Sequence, residues 1–167
     1  ASTSLAHLMF SDKDINEFNT NLKLNPPLRS EIDCKSVKEG LIDGTIDYLT
    51  SMHEPLDLDN KKVVFDLATP GSIGLESVFG NMCNNFTLEK TIDILTRNKS
   101  IFQIEDHPIE KGSFADLTLF NPDKSYEFSN EHILSTSKNC AYLGTKLRGI
   151  VYGSINNKNS TLNSSWT

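Results

Sequence analysis

The stretch Gly44–Asp57, with the sequence G-T-I-D-Y-L-T-S-M-H-E-P-L-D, decides which fold this chain can adopt. Ile46, Tyr48 and Leu49 suit a buried strand, because the run is apolar and contains β-branched residues. Pro55 must end that strand, since proline has no N–H group to give to a sheet. Ser, His and Glu side chains follow the strand, at the end where α/β enzymes place their chemistry. The stretch therefore predicts one strand of an α/β fold.

A capped helix is predicted immediately before this strand. Ser30 can cap its N-terminus, Asp33 lies at the capping-box position, and Gly44 ends it. Apolar residues are expected along one face of this helix, at Ile32, Val37, Leu41 and Ile42. A helix that leads into a strand is one αβ step of a barrel or of a doubly wound sheet.

Length, charge and composition limit the class of function. The 167 residues suit one domain with an appendage, and 37% of them are hydrophobic, which is adequate for a globular core. The net charge of −6, without a basic stripe, argues against nucleic-acid binding. No run approaches the ~20 apolar residues of a membrane span, so no membrane association is expected. Cys34, Cys83 and Cys140 form no C-x-x-C pair, which favours reduced thiols in a cytoplasmic protein.

Two loops contain residues that restrict or free the backbone. Asn19–Arg29 (N-T-N-L-K-L-N-P-P-L-R) predicts a rigid extended loop, in which the two prolines exclude a helical conformation for Asn25. Thr69–Glu76 (T-P-G-S-I-G-L-E) predicts a glycine turn in which Gly71 lets backbone approach a ligand closely. Each loop also has a purely structural interpretation: a rigid loop anchored by Arg29 on a carboxylate in the first case, and a tight turn into a helix in the second.

The remaining elements follow from local patterns. Helices are predicted over 75–86 and 88–102, and a turn followed by a strand is predicted over 109–122. Thr87 is the expected cap of the second helix. His7 is interpreted as a core or positional residue, because one isolated histidine specifies no metal site.

The ordered motifs of the chain resemble those of dihydroorotases, in the cyclic amidohydrolase family. Ser51–Leu56 (S-M-H-E-P-L) matches the frame Thr/Ser-Asp-His-x-Pro-His. The proline loop matches Asp/Asn-Thr-x-x-Lys-x-Asn-Pro-Pro-Leu-Arg, and the glycine turn matches x-Pro/Phe-Gly-x-x-Gly-Leu-Glu. Further along, Gly112–Asn121 resembles Gly-x-x-Ala-Asp-Leu-x-Leu-Phe-Asp, and Ser135–Cys140 resembles Ser-Lys-Ser-Lys-Asn-Thr. The resemblance extends from about Ser2 to Asn157.

The resemblance implies an α/β fold made of the last strands and helices of a TIM-like (β/α)8 barrel, with part of a small C-terminal β-sandwich. It assigns 1–108 to the barrel, 109–157 to strands of the β-sandwich and 158–167 to a loose tail. Asp116 then lies beyond the catalytic end of the barrel and is interpreted as a structural turn anchor. Because a complete barrel takes roughly 250 residues, the chain is expected to be one part of a longer polypeptide. The expected partners are the missing N-terminal barrel portion or a second chain, and other copies in a homo-oligomer.

The resemblance also implies a site and a cofactor. The family hydrolyses the cyclic amide dihydroorotate with bound zinc, whose ligands would precede Ala1, so this chain alone is expected to hold no metal. The implied substrate-binding residues are Asn25, His53, Pro70 and Gly71. The resemblance gives the family's aspartate the roles of metal ligand and proton carrier, and its final histidine that of holding the substrate. No catalytic residue is intact, because Met52 stands at the aspartate position and Leu56 at the histidine position.

Two functional hypotheses follow. In the first, the chain is part of a dihydroorotase-like amidohydrolase of pyrimidine biosynthesis with impaired catalysis, because a thioether moves no protons at neutral pH. In the second, it is a non-catalytic partner subunit of aspartate transcarbamoylase. A folding or interaction remnant without present chemistry is a third interpretation. Glu54 or Asp57 could instead supply the missing carboxylate, and Glu54 should share a face with Met52 if the strand continues.

Overall fold

The computed structural model describes residues 1–162 of the chain. The helices and strands of this part are β1 (Ser2–Ser4), α1 (Leu5–Met9), α2 (Glu31–Asp43), β2 (Tyr48–Thr50), α3 (Val78–Asn85), α4 (Leu88–Thr96), β3 (Asp116–Glu127), β4 (Lys146–Asn156) and β5 (Asn159–Leu162). They belong to two compact units. The first consists of Ala1–Val78 and Glu127–Thr145, and the second of Phe79–Tyr126 and the chain from Lys146 onward. The predicted domain boundary at residue 108 stays a prediction.

β1 and β2 are parallel neighbours in the first unit, with Thr3 opposite Leu49. β2 is shorter than the apolar run from which it was predicted. The Ile46 N–H donates to the Gly40 carbonyl of α2 at 2.9 Å, and the Ile46 side chain packs against Gly40. Ile46 therefore connects helix and strand and does not join the sheet.

The first ten residues form a short strand that is followed directly by a helix. β1 ends at Ser4, and α1 begins at the next residue. The Ser4 side chain caps α1 by accepting from the His7 N–H at 3.3 Å. Because the Ser4 side chain caps a helix that begins at Leu5, the strand ends at Ser4.

α2 confirms the predicted helix and both of its ends. The Ser30 hydroxyl oxygen accepts from the Asp33 N–H, and the Asp33 carboxylate accepts from the Ser30 N–H at 3.1 Å. The Ser30 hydroxyl, at 2.7 Å, and the Ser30 N–H both donate to the Asp33 carboxylate, and this lowers the pKa of Asp33. Gly44 ends the helix with φ of +87°, a left-handed conformation that glycine adopts without strain. The predicted apolar face is wrong at Ile32 and Ile42, which are exposed, whereas Leu41 is fully buried.

The core of the first unit surrounds α1 and the end of the β1–β2 pair. Its buried side chains include Leu5, Leu8, Leu22, Leu28, Leu41, Leu49, Ile73, Phe128, Ile133, Cys140 and Tyr142. Tyr142 packs its ring against Phe10 with the ring centroids 5.3 Å apart. A parallel bridge between Ile73 and Cys140 joins the glycine turn to the segment before Tyr142.

The second unit contains α3, α4 and a three-stranded sheet. The strands lie in the order β3-β4-β5, and β4 and β5 are antiparallel. Thr87 caps α4 as predicted, accepting from the Lys90 N–H at 3.3 Å. Both predicted helices are shorter than expected: α3 follows a single turn over Leu75–Ser77, and α4 ends at Thr96. The buried apolar side chains of this unit include Met82, Cys83, Phe86, Ile94, Leu147 and Ile150.

The chain beyond residue 157 is partly regular. A loose tail was predicted over 158–167, but Asn159–Leu162 forms β5, and Asn156 pairs with Asn159 across the turn. Backbone pairing decides this, since polar side chains do not prevent an edge strand from forming. Residues 163–167 lie outside the described part of the chain. Within the described part, no helix is long and apolar enough to cross a membrane.

Candidate functional site

A small cavity lies where β1 and β2 end, in the first unit. It has a volume of about 10 Å³, room for one water molecule at most. The cavity is lined by Ser4, Ala6, His7, Leu24, Asn25, Ser51, Met52, Glu54, Ser72 and Tyr142. The structure therefore brings the proline loop, the end of β2 and the glycine turn together at the carboxyl end of a parallel strand pair.

Met52 lies at the cavity with an unusual backbone. Its φ is +41°, in the left-handed region, and its N–H donates to the Thr50 hydroxyl oxygen at 2.9 Å. A side chain such as Met rarely adopts this conformation, whereas Asp and Asn are enriched there. The strand has ended by this point, so strand alternation does not place Glu54. Glu54 nevertheless lines the same cavity.

His7 holds the proline loop in place. Its Nε2 lies 3.0 Å from the Pro26 carbonyl oxygen, which can only accept, so Nε2 carries the proton. Its Nδ1 then accepts from the Ser4 hydroxyl at 2.6 Å. Both ring nitrogens are used in this way, in keeping with the positional role predicted for His7, and Asn25 reaches the cavity edge beside Pro26.

The His53 side chain contacts the turn that precedes α3. Its Nδ1 accepts from the Leu75 N–H at 3.2 Å and lies 3.7 Å from a carboxylate oxygen of Glu76. The other Glu76 oxygen accepts from the Ser135 N–H at 2.9 Å. His53 thus fixes the turn that precedes α3, and it does not line the cavity. Its substrate-binding role stays a prediction.

Gly71 is buried and lies against the segment that follows Met52. With φ of +134°, a Cβ at Gly71 would lie 3.1 Å from the Glu54 Cβ and 3.2 Å from the Leu56 Cδ1. The Gly71 N–H donates to the Lys23 carbonyl of the proline loop at 2.9 Å. Pro70, by contrast, is exposed. Contact of Pro70 and Gly71 with substrate stays a prediction.

A buried lysine ties the proline loop to the chain after β2. The Lys61 ammonium group donates to the Thr20 carbonyl at 2.9 Å, and the Thr20 hydroxyl donates to the Lys61 carbonyl at 2.8 Å. Burial lowers the pKa of Lys61 to about 8, and the negative charge of Glu54 partly offsets this effect. The two reciprocal hydrogen bonds make Lys61 an anchor of the loop that contains Asn25.

Asp57, the other candidate carboxylate, faces a separate opening. It lines an open cavity of about 720 Å³ together with Leu56, Lys62 and Lys138. Asp57 does not line the small cavity of Met52 and Asn25. It therefore lies apart from the position at which the family's aspartate is expected.

Metal-ligating side chains do not cluster in residues 1–162. No three His, Cys, Asp or Glu side chains there are placed to hold a metal ion, and Met52 brings a thioether where a carboxylate would serve. The described residues therefore do not fit a zinc site by themselves. Cys34, Cys83 and Cys140 are free, and burial raises the pKa of each, which keeps these thiols protonated at neutral pH.

Sequence reasoning missed Glu76 and Tyr142. Glu76 accepts from the Ser135 N–H and lies beside His53, and Tyr142 closes one wall of the cavity. Both are distant in sequence from the residues that they contact, so no local pattern points to them. The glycine turn contained Glu76, but its Gly-Leu-Glu sequence predicts a helix start and not a histidine partner.

Known proteins with similar sequences are dihydroorotases. The chain is 36% identical over 157 residues to the dihydroorotase of Endomicrobium trichonymphae, covering 89% of this chain and 37% of that protein. It is 35% identical over 156 residues to the dihydroorotase of Bacillus subtilis, covering 89% of this chain and 36% of the relative. The chain spans about two fifths of the length of the curated relatives that it matches. No protein-family model matches it.

Solved structures with a similar fold are cyclic amidohydrolases. A D-hydantoinase superposes with a TM-score of 0.84 at 18% identity, covering 98% of this chain and 39% of that protein. The L-hydantoinase of Arthrobacter aurescens gives a TM-score of 0.82 at 20% identity, covering 97% and 39%. The inactive dihydroorotase-like domain of a CAD-like multifunctional protein from Chaetomium thermophilum gives 0.62 at 15%, covering 95% and 42%.

These structures confirm the predicted fold, which comprises the last strands and helices of a TIM-like barrel with part of the accompanying β-sandwich. The sequence relatives and the fold agree with the motifs around Ser51–Leu56, Asn19–Arg29 and Thr69–Glu76. The chain therefore belongs to the dihydroorotase-like cyclic amidohydrolases and corresponds to a C-terminal portion of such a protein.

Proposed function

We propose that the chain is part of a dihydroorotase-like protein of pyrimidine biosynthesis whose catalytic activity is impaired. The observation that supports this is the position of Met52 on the cavity wall, beside Asn25 and Glu54. The resemblance places a metal-binding and proton-carrying aspartate at this position. The left-handed φ of +41° is a conformation that suits aspartate better than methionine.

The loss of the carboxylate removes two functions at once. Zinc in proteins is bound by Cys, His, Asp and Glu side chains, and a thioether neither accepts nor donates a proton at neutral pH. General acid–base help is typically worth ~10²–10⁴ in rate. Leu56 adds a second loss, since its side chain packs beside Gly71 and has no hydrogen-bonding atom to offer a substrate.

Glu54 does not compensate in this proposal. It lines the cavity, but its side chain is exposed and lies over Gly71, where a Cβ would be 2.7 Å from its Oε2. A carboxylate on an exposed side chain is free to move into water. It lacks the fixed geometry that metal binding and proton transfer require.

The other zinc ligands of the family would lie outside this chain, on the remaining part of a longer polypeptide or on a second chain. The described residues contribute the wall formed by the proline loop and the glycine turn. Localisation in the cytoplasm, where reduced thiols persist, belongs to the same proposal.

A non-catalytic partner subunit of aspartate transcarbamoylase is the second candidate function. The absence of an acidic side chain at Met52 and of a polar side chain at Leu56 favours it, because a structural partner needs neither. Size-exclusion chromatography of the complete protein with the aspartate transcarbamoylase of the same organism distinguishes the candidates. Co-elution supports the partner function, and separate elution at micromolar concentrations counts against it.

Restoring the two family residues is expected to restore metal binding. In the complete protein, Met52→Asp combined with Leu56→His should raise zinc affinity at least about tenfold, since perturbing a metal site commonly changes affinity by 10–100-fold. Turnover of dihydroorotate should recover less than metal binding. Zinc titration by calorimetry and a hydrolysis assay measure the two effects.

Two control variants make this result specific. Met52→Leu keeps an apolar side chain and should leave zinc affinity unchanged. Glu54→Gln should also leave it unchanged, because Glu54 is not a ligand in this proposal. Zinc binding by the wild-type protein as tight as that of the double variant, or a loss of binding in Glu54→Gln, would contradict the proposal.

A further inference from the structure

Asn139 connects the two loops that flank the candidate site. Its side chain is fully buried in the first unit. Its Nδ2 donates to the Glu54 carbonyl at 2.9 Å and to the Gly71 carbonyl at 3.3 Å. Its Oδ1 accepts from the Leu56 N–H at 3.1 Å and from the Ser137 hydroxyl at 2.7 Å. One side chain thus contacts the backbone on both sides of the site.

These contacts use both N–H donors of the amide and its oxygen. The donors meet the Glu54 and Gly71 carbonyls, and the oxygen accepts from the Leu56 N–H. The Ser137 hydroxyl has one proton, which it shares between the Asn139 Oδ1 and the Leu56 carbonyl oxygen. The pattern also fixes the orientation of the amide, because carbonyl oxygens can only accept. Because its donors and its oxygen already bond within the chain, Asn139 does not bind a ligand. It acts as a fixed connector between the two loops.

The backbone around Asn139 strengthens the connection. The Ile73 N–H donates to the Asn139 carbonyl at 2.9 Å, and the Ala141 N–H donates to the Ser72 hydroxyl oxygen at 2.9 Å. The Ser137 hydroxyl also accepts from the Leu56 N–H at 3.1 Å. The segment Ser137–Ala141 therefore lies between the chain after Met52 and the glycine turn, and it bonds to both.

We propose that Asn139 is a positioning residue that sets the distance between the Glu54–Leu56 segment and Gly71. The proposal rests on the proposed function in one respect, namely that these two loops form the substrate side of the site. Its hydrogen-bond partners are backbone groups of two loops that lie 85 and 68 positions away in the sequence. The Glu54 N–H also donates directly to the Ser72 carbonyl at 3.0 Å, and Asn139 adds the hydrogen bonds that hold Leu56 and Gly71.

The test uses hydrogen–deuterium exchange on the complete protein with Asn139→Asp. The substitution keeps the shape of the side chain but replaces the two-donor nitrogen by an oxygen. Ionised, it faces the Glu54 and Gly71 carbonyls without a proton to donate. Exchange of the backbone amides in segments 54–56 and 71–73 should increase at least about tenfold relative to wild type, with a smaller change elsewhere in the first unit.

The pH dependence gives a readout that general loosening would not produce. Burial beside two carbonyl oxygens raises the pKa of the introduced carboxyl group. A group with a raised pKa in the folded state stabilises that state at low pH and loses this contribution as pH rises. The excess exchange of N139D over wild type, compared at each pH, should therefore shrink from pH 8 towards pH 4, as a carboxyl O–H becomes available to one carbonyl.

Two further variants keep the test decisive. Asn81→Asp is the matched control, because Asn81 is also fully buried but lies in the second unit. It should leave segments 54–56 and 71–73 as protected as in wild type. Ser137→Ala retains Asn139 and removes the hydroxyl that bonds to Leu56, so exchange should increase at 54–56 and not at 71–73. This variant supplies the test if N139D does not fold.

The outcomes separate this proposal from the proposed function. Equal exchange in N139D and wild type, the same selective increase in N81D, or unchanged exchange at 54–56 in S137A would overturn the positioning role. None of these readouts depends on zinc or turnover. If exchange changes as expected but the double variant Met52→Asp, Leu56→His binds no zinc, the connector stands and the proposed function fails. If zinc binds, adding Asn139→Asp should weaken it about 10–100-fold.

Discussion

Replacing Tyr142 with alanine is expected to lower the free energy of unfolding of the complete protein by about 3–5 kcal/mol, the usual cost of removing a large buried aromatic side chain. Tyr142 is 1% exposed, and its ring packs against Phe10 with centroids 5.3 Å apart. The ring also contacts Gly74, where a Cβ would lie 3.0 Å from it. Its removal leaves a cavity beside both the glycine turn and the candidate site.

Urea denaturation of wild type, Tyr142→Ala and Tyr142→Phe measures this effect. The phenylalanine variant keeps the ring and should cost less than about 1.5 kcal/mol, in the range of volume-conserving substitutions. Equal midpoints for Tyr142→Ala and Tyr142→Phe would show that the ring is not the source of stability.

Gly149→Ala is expected to destabilise the second unit by about 2–6 kcal/mol through two causes that add. Gly149 has φ of +97°, where a residue with a side chain costs about 1–3 kcal/mol. An added Cβ would also lie 3.0 Å from the Cys83 sulfur and 3.0 Å from the Phe79 ring. Overpacking of this kind typically costs about 1–3 kcal/mol.

Gly112→Ala separates the two causes. Gly112 has the same φ of +97°, but no atom lies within 4 Å of its added Cβ. This variant should show the backbone strain alone, and the difference between the two variants in denaturation measures the packing contribution. If Gly112→Ala lowers the free energy of unfolding as much as Gly149→Ala, the close contact of α3 with β4 in the second unit does not contribute to the loss of stability.

Local signals in the sequence were sufficient for some elements. The helix from Glu31 to Asp43 was predicted with both ends because Ser30, Asp33 and Gly44 act on the nearest turn. The cap at Thr87 was predicted for the same reason. The fold came from the order of motifs, which no single element could have supplied.

Other features depend on contacts between distant residues and could not be predicted. The length of β2 depends on Ile46 packing against Gly40, and the exposure of Ile32 depends on which neighbours α2 meets. The direction of His53 is set by amides more than 20 residues away, at Gly74 and Leu75. Periodicity contains no information about such partners.

The candidate site shows the same division. Asn25, Met52 and Glu54 were named from motifs, and the structure brings them to one cavity. Asn139 lay in a recognised motif, yet its role became visible only through hydrogen bonds to Glu54 and Gly71. A motif identifies which residues are present, whereas the folded backbone determines what each of them contacts.

The most direct test of the impaired-enzyme proposal is the rate of dihydroorotate hydrolysis by the complete wild-type protein in the presence of zinc. The dihydroorotase of Bacillus subtilis, a relative at 35% identity, serves as the reference under the same conditions. With Met52 in place of a proton-carrying aspartate, turnover should be at least ~10² lower than that of the reference. Turnover within about tenfold of the reference would contradict the account, because a side chain that moves no protons could not then be limiting.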